Sequence, residues 1–129
     1  MHRILIVTAL AVTASVAESQ AAPATAQTVA TTLTEFKLNL ARDTVKAGPV
    51  TFKVKNSGVM THALFVRGGK IAKGSKEIAA GEEATFTVSL VAGTYEVYCP
   101  MSDLSHKMAG MTKAFVVLAS DAAPVTKKP

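Results

Sequence analysis

The segment at residues 98–111 brings three kinds of metal-binding side chain together. It contains the only cysteine of the chain, Cys99, and an imidazole at His106. It also contains thioethers at Met101, Met108 and Met111. A thiolate and imidazoles with one weak thioether are the donor set of a blue-copper electron-transfer site, which requires a second histidine. The segment therefore predicts most of a copper site.

His62 can supply the second imidazole. The chain has three histidines, and His2 lies in a segment typical of secretory signals, so an exported chain would keep two of them. His62 is in phase with the apolar residues Leu64 and Val66 and is expected to point inward. A single inward histidine is usually structural, but the cysteine and thioethers of the later segment favour ligation. The same cysteine and histidines could also bind zinc.

Met111 is the favoured axial thioether, because Gly110 before it permits a close approach of the backbone. Met101 and Met108 remain open as competing thioethers or as loop packing. Cys99 has no partner for a disulfide within the chain, and ligation would protect its thiol from oxidation outside the cytosol. Burial as a small apolar residue is the alternative for this thiol.

Residues 1–26 are typical of a secretory signal peptide and lead-in. A short basic start precedes an apolar run at residues 4–17, which is shorter than the roughly 20 residues that cross a bilayer. Candidate cleavage points follow Ala17, Ala22 and Ala26. We therefore expect a periplasmic or secreted protein without a membrane span.

The charge balance restricts the kinds of partner. The chain has 14 Lys and Arg against 9 Asp and Glu, a net charge of +5. The basic residues are scattered over the predicted strands and only 5% of residues are aromatic, so nucleic acid binding is not indicated. We expect a monomer whose redox protein partners are acidic at the docking surface.

Apolar and polar residues alternate with a period of two between residues 33 and 118, which predicts β-strands. The alternating runs are 35–40, 50–55, 62–67, 84–90, 94–99 and 113–118. Turn signals rich in Gly, Pro and Asn separate them, as is typical of an all-β sandwich or barrel. We assign one domain to residues 33–118, a lead-in to the residues just before it, and a flexible tail to residues 119–129.

The predicted strand at residues 94–99 positions the ligand segment. Side chains alternate along a strand, and Cys99 falls on the inward face at its end. Pro100 then ends the strand, and the loop can return His106 over the sulfur. We expect the ring of His106 to reach solvent and to be the electron port, with His62 deeper in the sandwich.

Three short motifs accompany these residues. They are Asn56-Ser57-Gly58 before His62, Ala92-Gly93-Thr94-Tyr95 before Tyr98-Cys99-Pro100, and Gly110-Met111 after His106. Together they resemble the cupredoxin family of type 1 copper proteins, in particular its single-domain plastocyanin- and sulfocyanin-like members, over residues 33–118. The resemblance implies a Greek-key β-sandwich of seven to eight strands and an electron carrier between redox proteins, not an enzyme. It also implies one mononuclear copper bound by His62, Cys99, His106 and Met111.

Two features depart from the family pattern. The loop between Cys99 and His106 is longer than is usual in the family, and Ala63 stands where plastocyanin-like members often have Asn. The longer loop predicts a less rigid site, and Ala63 lacks a hydrogen bond that can tie the two ligand segments together.

The alternative function is a periplasmic copper-binding or copper-delivery protein with the same Cys/His/Met site, because thioethers suit Cu(I).

Overall fold

The computed structural model describes residues 26–120, which form nine strands and one short helix. The strands are β1 (Gln27–Thr34), β2 (Lys37–Leu40), β3 (Thr44–Lys46), β4 (Gly48–Asn56), β5 (Phe65–Gly68), β6 (Ile71–Gly74), β7 (Glu83–Leu90), β8 (Gly93–Tyr98) and β9 (Thr112–Leu118). The helix α1 spans Ser105–Met108. Nearly all of the predicted signal segment and of the predicted tail lies outside the described residues.

The strands form two sheets with one hydrophobic core. The first sheet has the order β2-β1-β4-β7 and the second the order β3-β9-β8-β5-β6. The β1–β4 and β3–β9 pairs are parallel and the other neighbours are antiparallel. This confirms the predicted all-β sandwich. The described strands outnumber the expected seven to eight because the short strands β3 and β6 form both edges of the second sheet. Within residues 26–120, no helix has the length and apolar character needed to cross a membrane.

The alternation along β4 supplies the centre of the core. Its inward residues are Val50, Phe52 and Val54, all fully buried. Phe52 stacks on Phe86 of β7 at 5.2 Å between ring centroids and contacts Phe115 of β9 at 5.4 Å. Fully burying a side chain of this size contributes about 1.5–3 kcal/mol, so the contact between Phe52 and Phe115, which lie in different sheets, helps to hold the sheets together. The ligand loops are therefore attached to a rigid framework.

The first strand begins earlier than the sequence alternation indicated. Residues 27–32, which we assigned to a lead-in, belong to β1 and pair in parallel with β4. Val29 and Leu33 on this strand are fully buried. The sandwich therefore extends to Gln27 at its N-terminal end.

The run at residues 35–40 is not one strand. The chain turns at Glu35 and Phe36, and β2 begins only afterwards. Phe36 has a φ of 61°, an uncommon conformation for a bulky residue that costs about 1–2 kcal/mol. Strain of this kind is found where the surrounding structure imposes it, often beside functional sites.

Candidate metal centre

Three of the predicted ligands meet at one end of the sandwich. Cys99 Sγ lies 3.9 Å from His62 Nδ1 and 3.8 Å from His106 Nδ1. These ligand atoms all lie within 4.8 Å of one another, and all three residues are buried. The arrangement agrees with the inward orientation that was predicted for Cys99 and His62.

The spacing of these atoms fits a metal held by all three. Typical metal–nitrogen and metal–sulfur bonds of this kind measure about 2.0–2.1 Å and 2.3 Å, so ligands at 120° place nitrogen and sulfur about 3.7 Å apart. The observed separations of 3.9 and 3.8 Å are close to that value. The donor set of thiolate and two imidazoles is the one that type 1 copper uses. The residues present therefore fit copper.

Met111 is a buried methionine whose backbone contacts two of these ligands. Its side chain is fully buried, its N–H donates to His106 O at 3.1 Å, and its carbonyl accepts the Cys99 N–H at 3.0 Å. Met108, by contrast, is 87% exposed, and Met101 packs against the core. Met111 thus remains the predicted axial ligand.

The extra length between Cys99 and His106 forms a left-handed turn and a short helix. Three consecutive residues, Ser102, Asp103 and Leu104, have φ of 53°, 51° and 70°. Each left-handed non-glycine residue costs about 1–2 kcal/mol. The turn leads directly into α1, which carries His106 back towards Cys99. The long loop therefore returns the histidine to the thiol at a cost in backbone strain.

His62 lies outside the strands and is held by a buried hydrogen-bond network. It forms an isolated bridge with Ile78, with N–O distances of 3.1 and 2.7 Å. Asn56 is fully buried; its Nδ2 donates to Met60 O at 2.7 Å and to Ile78 O at 2.8 Å. Its Oδ1 accepts the N–H of Gly58 at 3.0 Å. Asn56 thus fixes the loop that carries His62.

Glu35, which the sequence did not single out, contacts this loop from the β1–β2 turn. Its Oε1 accepts the N–H of Val59 at 2.7 Å and that of Met60 at 3.0 Å, and it lies 3.5 Å from His62 Nε2. The pKa of Glu35 falls to about 2, mainly through the hydrogen bond from Met60 and then through those from its own N–H and Val59. The side chain is therefore a carboxylate at neutral pH.

Burial lowers the pKa of His62, and the nearby His106 lowers it further, although Glu35 acts in the opposite direction. A lowered pKa favours the neutral imidazole, which is the form that binds metals. His62 is therefore ready to act as a ligand at neutral pH.

His106 is less exposed than was expected. His106 is 4% exposed and His62 is 0% exposed, so both are buried. Phe36 contacts the ring of His106 edge-to-face, with 6.5 Å between centroids and an interplanar angle of 80°, and is itself 54% exposed. The expected order holds, because His106 is more exposed than His62, but the ring is largely covered, since the β1–β2 turn, which was not predicted, places Phe36 against the imidazole.

Glu96 on β8 fastens the helix that carries His106. Its Oε1 lies 2.7 Å from Lys107 Nζ and accepts the Thr112 hydroxyl at 3.0 Å, while its Oε2 accepts Arg67 at 2.7 Å. Lys107 also lies over the ring of Tyr98, 4.9 Å from its centroid. The pKa of Glu96 is lowered, with the hydrogen bond from Lys107 as the largest cause.

This cluster predicts a pH dependence for the metal-free protein. A carboxylate whose pKa is lowered by folding stabilises the fold above its unfolded pKa, and that contribution is lost as the pH falls through the folded pKa. We expect Glu96→Gln to reduce the free energy of unfolding by about 1 kcal/mol or less at pH 7, as is usual for such ion pairs, and by less in acid. Urea unfolding at pH 7 and pH 3 measures both differences. Glu77→Gln removes an exposed carboxylate as a control, and an equal loss at both pH values would contradict the assignment.

Comparison with known proteins adds a family and a set of related folds. A family model described as a cupredoxin-like domain matches residues 5–111. Auracyanin B has 20% sequence identity and a TM-score of 0.61, over 76% of this chain and 91% of that chain. Auracyanin A of Chloroflexus aurantiacus, a "blue" copper protein, has 21% sequence identity and a TM-score of 0.57, over 72% of this chain and 99% of that chain. Reduced auracyanin of Roseiflexus castenholzii has 19% sequence identity and a TM-score of 0.58, over 74% of this chain and 98% of that chain.

A sequence comparison with curated proteins finds no significant match. The similarity to the solved structures is therefore a similarity of fold, and the chemistry of the centre has to be argued from its own residues.

Proposed function

This chain belongs to the cupredoxin-like family, as its motifs indicated, and on that premise we propose that it is a blue copper protein that carries single electrons. The observation that supports this most is the position of Cys99 Sγ, 3.9 and 3.8 Å from the Nδ1 atoms of His62 and His106. Copper bound there would supply one-electron chemistry between Cu(I) and Cu(II). We further propose that the chain is exported to the periplasm or beyond, as its N-terminal residues indicate, and that it is a carrier rather than an enzyme.

The residues of the chain provide a rigid and dry ligand set. Cys99, His62 and His106 are buried, so water has little access to the ligand atoms. The Asn56 network and the Glu96 cluster fix the two histidine-bearing segments to the sandwich. Fixed ligands would change little when an electron arrives or leaves, which supports rapid transfer.

An apolar surface around the centre supports docking of a redox partner. The exposed apolar side chains at this end are Phe36, Val59, Met60, Leu104 and Met108. Phe36 connects this surface to the ring of His106, which makes it the proposed exit for the electron. The net charge of +5 favours partners whose docking surface is acidic.

Copper loading followed by optical spectroscopy and voltammetry tests this function. The oxidised protein should show an intense visible band from thiolate-to-Cu(II) charge transfer, and voltammetry should show a reversible one-electron wave. A weakly coloured complex without such a wave would exclude the electron-carrier function.

Met111→Leu should retain copper and shift the reduction potential upward. The substitution conserves volume in a fully buried position and should cost less than about 1.5 kcal/mol in stability. Losing a weak axial donor weakens the binding of Cu(II) more than that of Cu(I). The reduction potential rises by about 59 mV for each tenfold difference between the two losses of affinity. Voltammetry measures the shift. Met108→Leu, which replaces an exposed methionine, is the matched control. A downward shift, or an equal shift in the control, would assign the axial position elsewhere.

Copper delivery is the second candidate, and the exposed thioether of Met108 favours it. Thioethers bind Cu(I) well, and a delivery protein needs a ligand that a recipient can reach. Replacing Met101, Met108 and Met111 together by Leu should then abolish Cu(I) affinity, measured by competition with a chelator. An electron carrier would keep Cu(I) through its thiolate and imidazoles in the same experiment.

A further inference from the structure

Glu35 is fastened to the loop that carries His62 by two backbone donors. The N–H groups of Val59 and Met60 both point to its Oε1, at 2.7 and 3.0 Å. A surface carboxylate without such donors would sample many rotamers, but this one is held at a single position. The carboxylate is therefore a fixed feature of the site's edge.

Gly58 leaves the space that the carboxylate occupies. A Cβ at this position would lie 2.8 Å from Glu35 Cδ, closer than real Cβ contacts come. The N–H of Gly58 is in turn bonded to Asn56, so the loop cannot easily move aside. The glycine and the carboxylate are thus fitted to each other across the two segments.

The outer nitrogen of His62 needs an acceptor. His62 Nε2 is buried and has no hydrogen-bond partner among residues 26–120; the nearby Glu35 Oε1, at 3.5 Å, is slightly too far for a full hydrogen bond. Its Nδ1 faces Cys99 Sγ, on the metal side. A neutral imidazole that binds a metal through Nδ1 carries its proton on Nε2. That proton points to the side where Glu35 lies.

We infer that Glu35 is a positioning residue of the metal centre, which orients His62 through Nε2 and so fixes Nδ1 as its metal-binding nitrogen. Carboxylates that accept the outer N–H of a ligating histidine fix the orientation of the ring and make its other nitrogen a stronger metal ligand. Their loss typically reduces metal affinity 10–100-fold. A fixed negative charge beside the site also favours Cu(II) over Cu(I), so its loss should raise the potential. The inference rests on the proposed copper site and names a residue outside its ligand set.

Three substitutions test the role of Glu35. Glu35→Gln removes the charge and keeps the shape, Glu35→Ala removes both, and Gly58→Ala obstructs the carboxylate while leaving it in the chain. Asp43→Asn removes the charge of an exposed carboxylate on another part of the surface and is the matched control. Cu(I) and Cu(II) affinities by chelator competition, reduction potentials by voltammetry, and unfolding in urea are measured for all four.

We expect Cu(II) affinity to fall about tenfold in Glu35→Gln and up to about 100-fold in Glu35→Ala and Gly58→Ala, with a raised potential in each. Asp43→Asn should match the unmodified chain. A loss of stability alone, with affinity and potential equal to those of the control, would show that Glu35 is only structural and overturn the inference.

Nitrogen NMR of the metal-free protein separates this inference from the proposed function. We expect His62 to be protonated on Nε2 in the unmodified chain and to become a mixture of tautomers in Glu35→Ala. A chain that binds no copper would refute the proposed function but leave this readout intact. Protonation on Nδ1 in the unmodified chain, or a tautomer that Glu35→Ala leaves unchanged, would overturn the role of Glu35 whatever the copper result.

Discussion

Cys99→Ser should abolish the intense visible band of the Cu(II)-loaded protein while leaving the sandwich folded. Cys99 supplies the only thiolate, and the band requires charge transfer from that sulfur. Its side chain is fully buried, and serine introduces a hydroxyl whose burial costs about 1–3 kcal/mol when unpaired. The Nδ1 atoms of His62 and His106 lie 3.9 and 3.8 Å from the sulfur, which is too far for a hydrogen bond from a serine hydroxyl, so the variant should be less stable by about that amount but still folded.

Absorption and circular dichroism together check this result. Loss of the whole band with an unchanged β-sheet spectrum is expected, and Met108→Leu, at an exposed position, should keep the band. An intense band in Cys99→Ser would mean that the colour arises elsewhere and that the ligand assignment is wrong.

The ligands that lie close together in the sequence could be predicted from it. Cys99 and His106 lie on one loop between two strands, and alternation along β8 predicted the inward thiol. His62 followed because few histidines remained once the signal-like segment was set aside. Its surroundings did not follow: the structure places His62 in a loop bridged to Ile78, not on the predicted strand.

The contacts made by the β1–β2 turn were not predictable by the same means. Phe36, Leu38 and Leu40 alternate with polar residues, which favours one strand, and residues 35 and 36 include no Gly, Pro or Asn to mark a turn. The structure instead turns at residues 35 and 36 and accepts the unfavourable φ of Phe36. Contacts with residues more than twenty positions away fix this conformation, such as those of Glu35 with Val59 and Met60. Local patterns carry no information about such pairs, so both Glu35 and the cover over His106 were missed.

Copper should raise the melting temperature of the protein by about 15–30 °C. A ligand that binds only the folded state adds about 4.1 kcal/mol when its free concentration is 1,000 times its dissociation constant. For a domain of this size, each kcal/mol shifts the melting temperature by about 4–8 °C. His62 lies 37 residues before Cys99 in sequence and meets it only in the fold, so the unfolded chain cannot assemble the complete site. Scanning calorimetry of the metal-free and copper-loaded protein measures the shift.

Hydrogen exchange of the metal-free and copper-loaded protein tests whether the long ligand loop is less rigid without metal. The left-handed residues Ser102, Asp103 and Leu104 store backbone strain, and α1 is only one turn long, so the loop should be less ordered when copper does not hold His106 beside Cys99. Hydrogen exchange should therefore slow on copper binding most strongly in residues 100–110 and least in β7, which belongs to the other sheet. Cys99→Ser should show neither the thermal shift nor the protection. Equal exchange in the loop with and without copper would mean that the strained turn is rigid by itself, and that its extra length does not loosen the site.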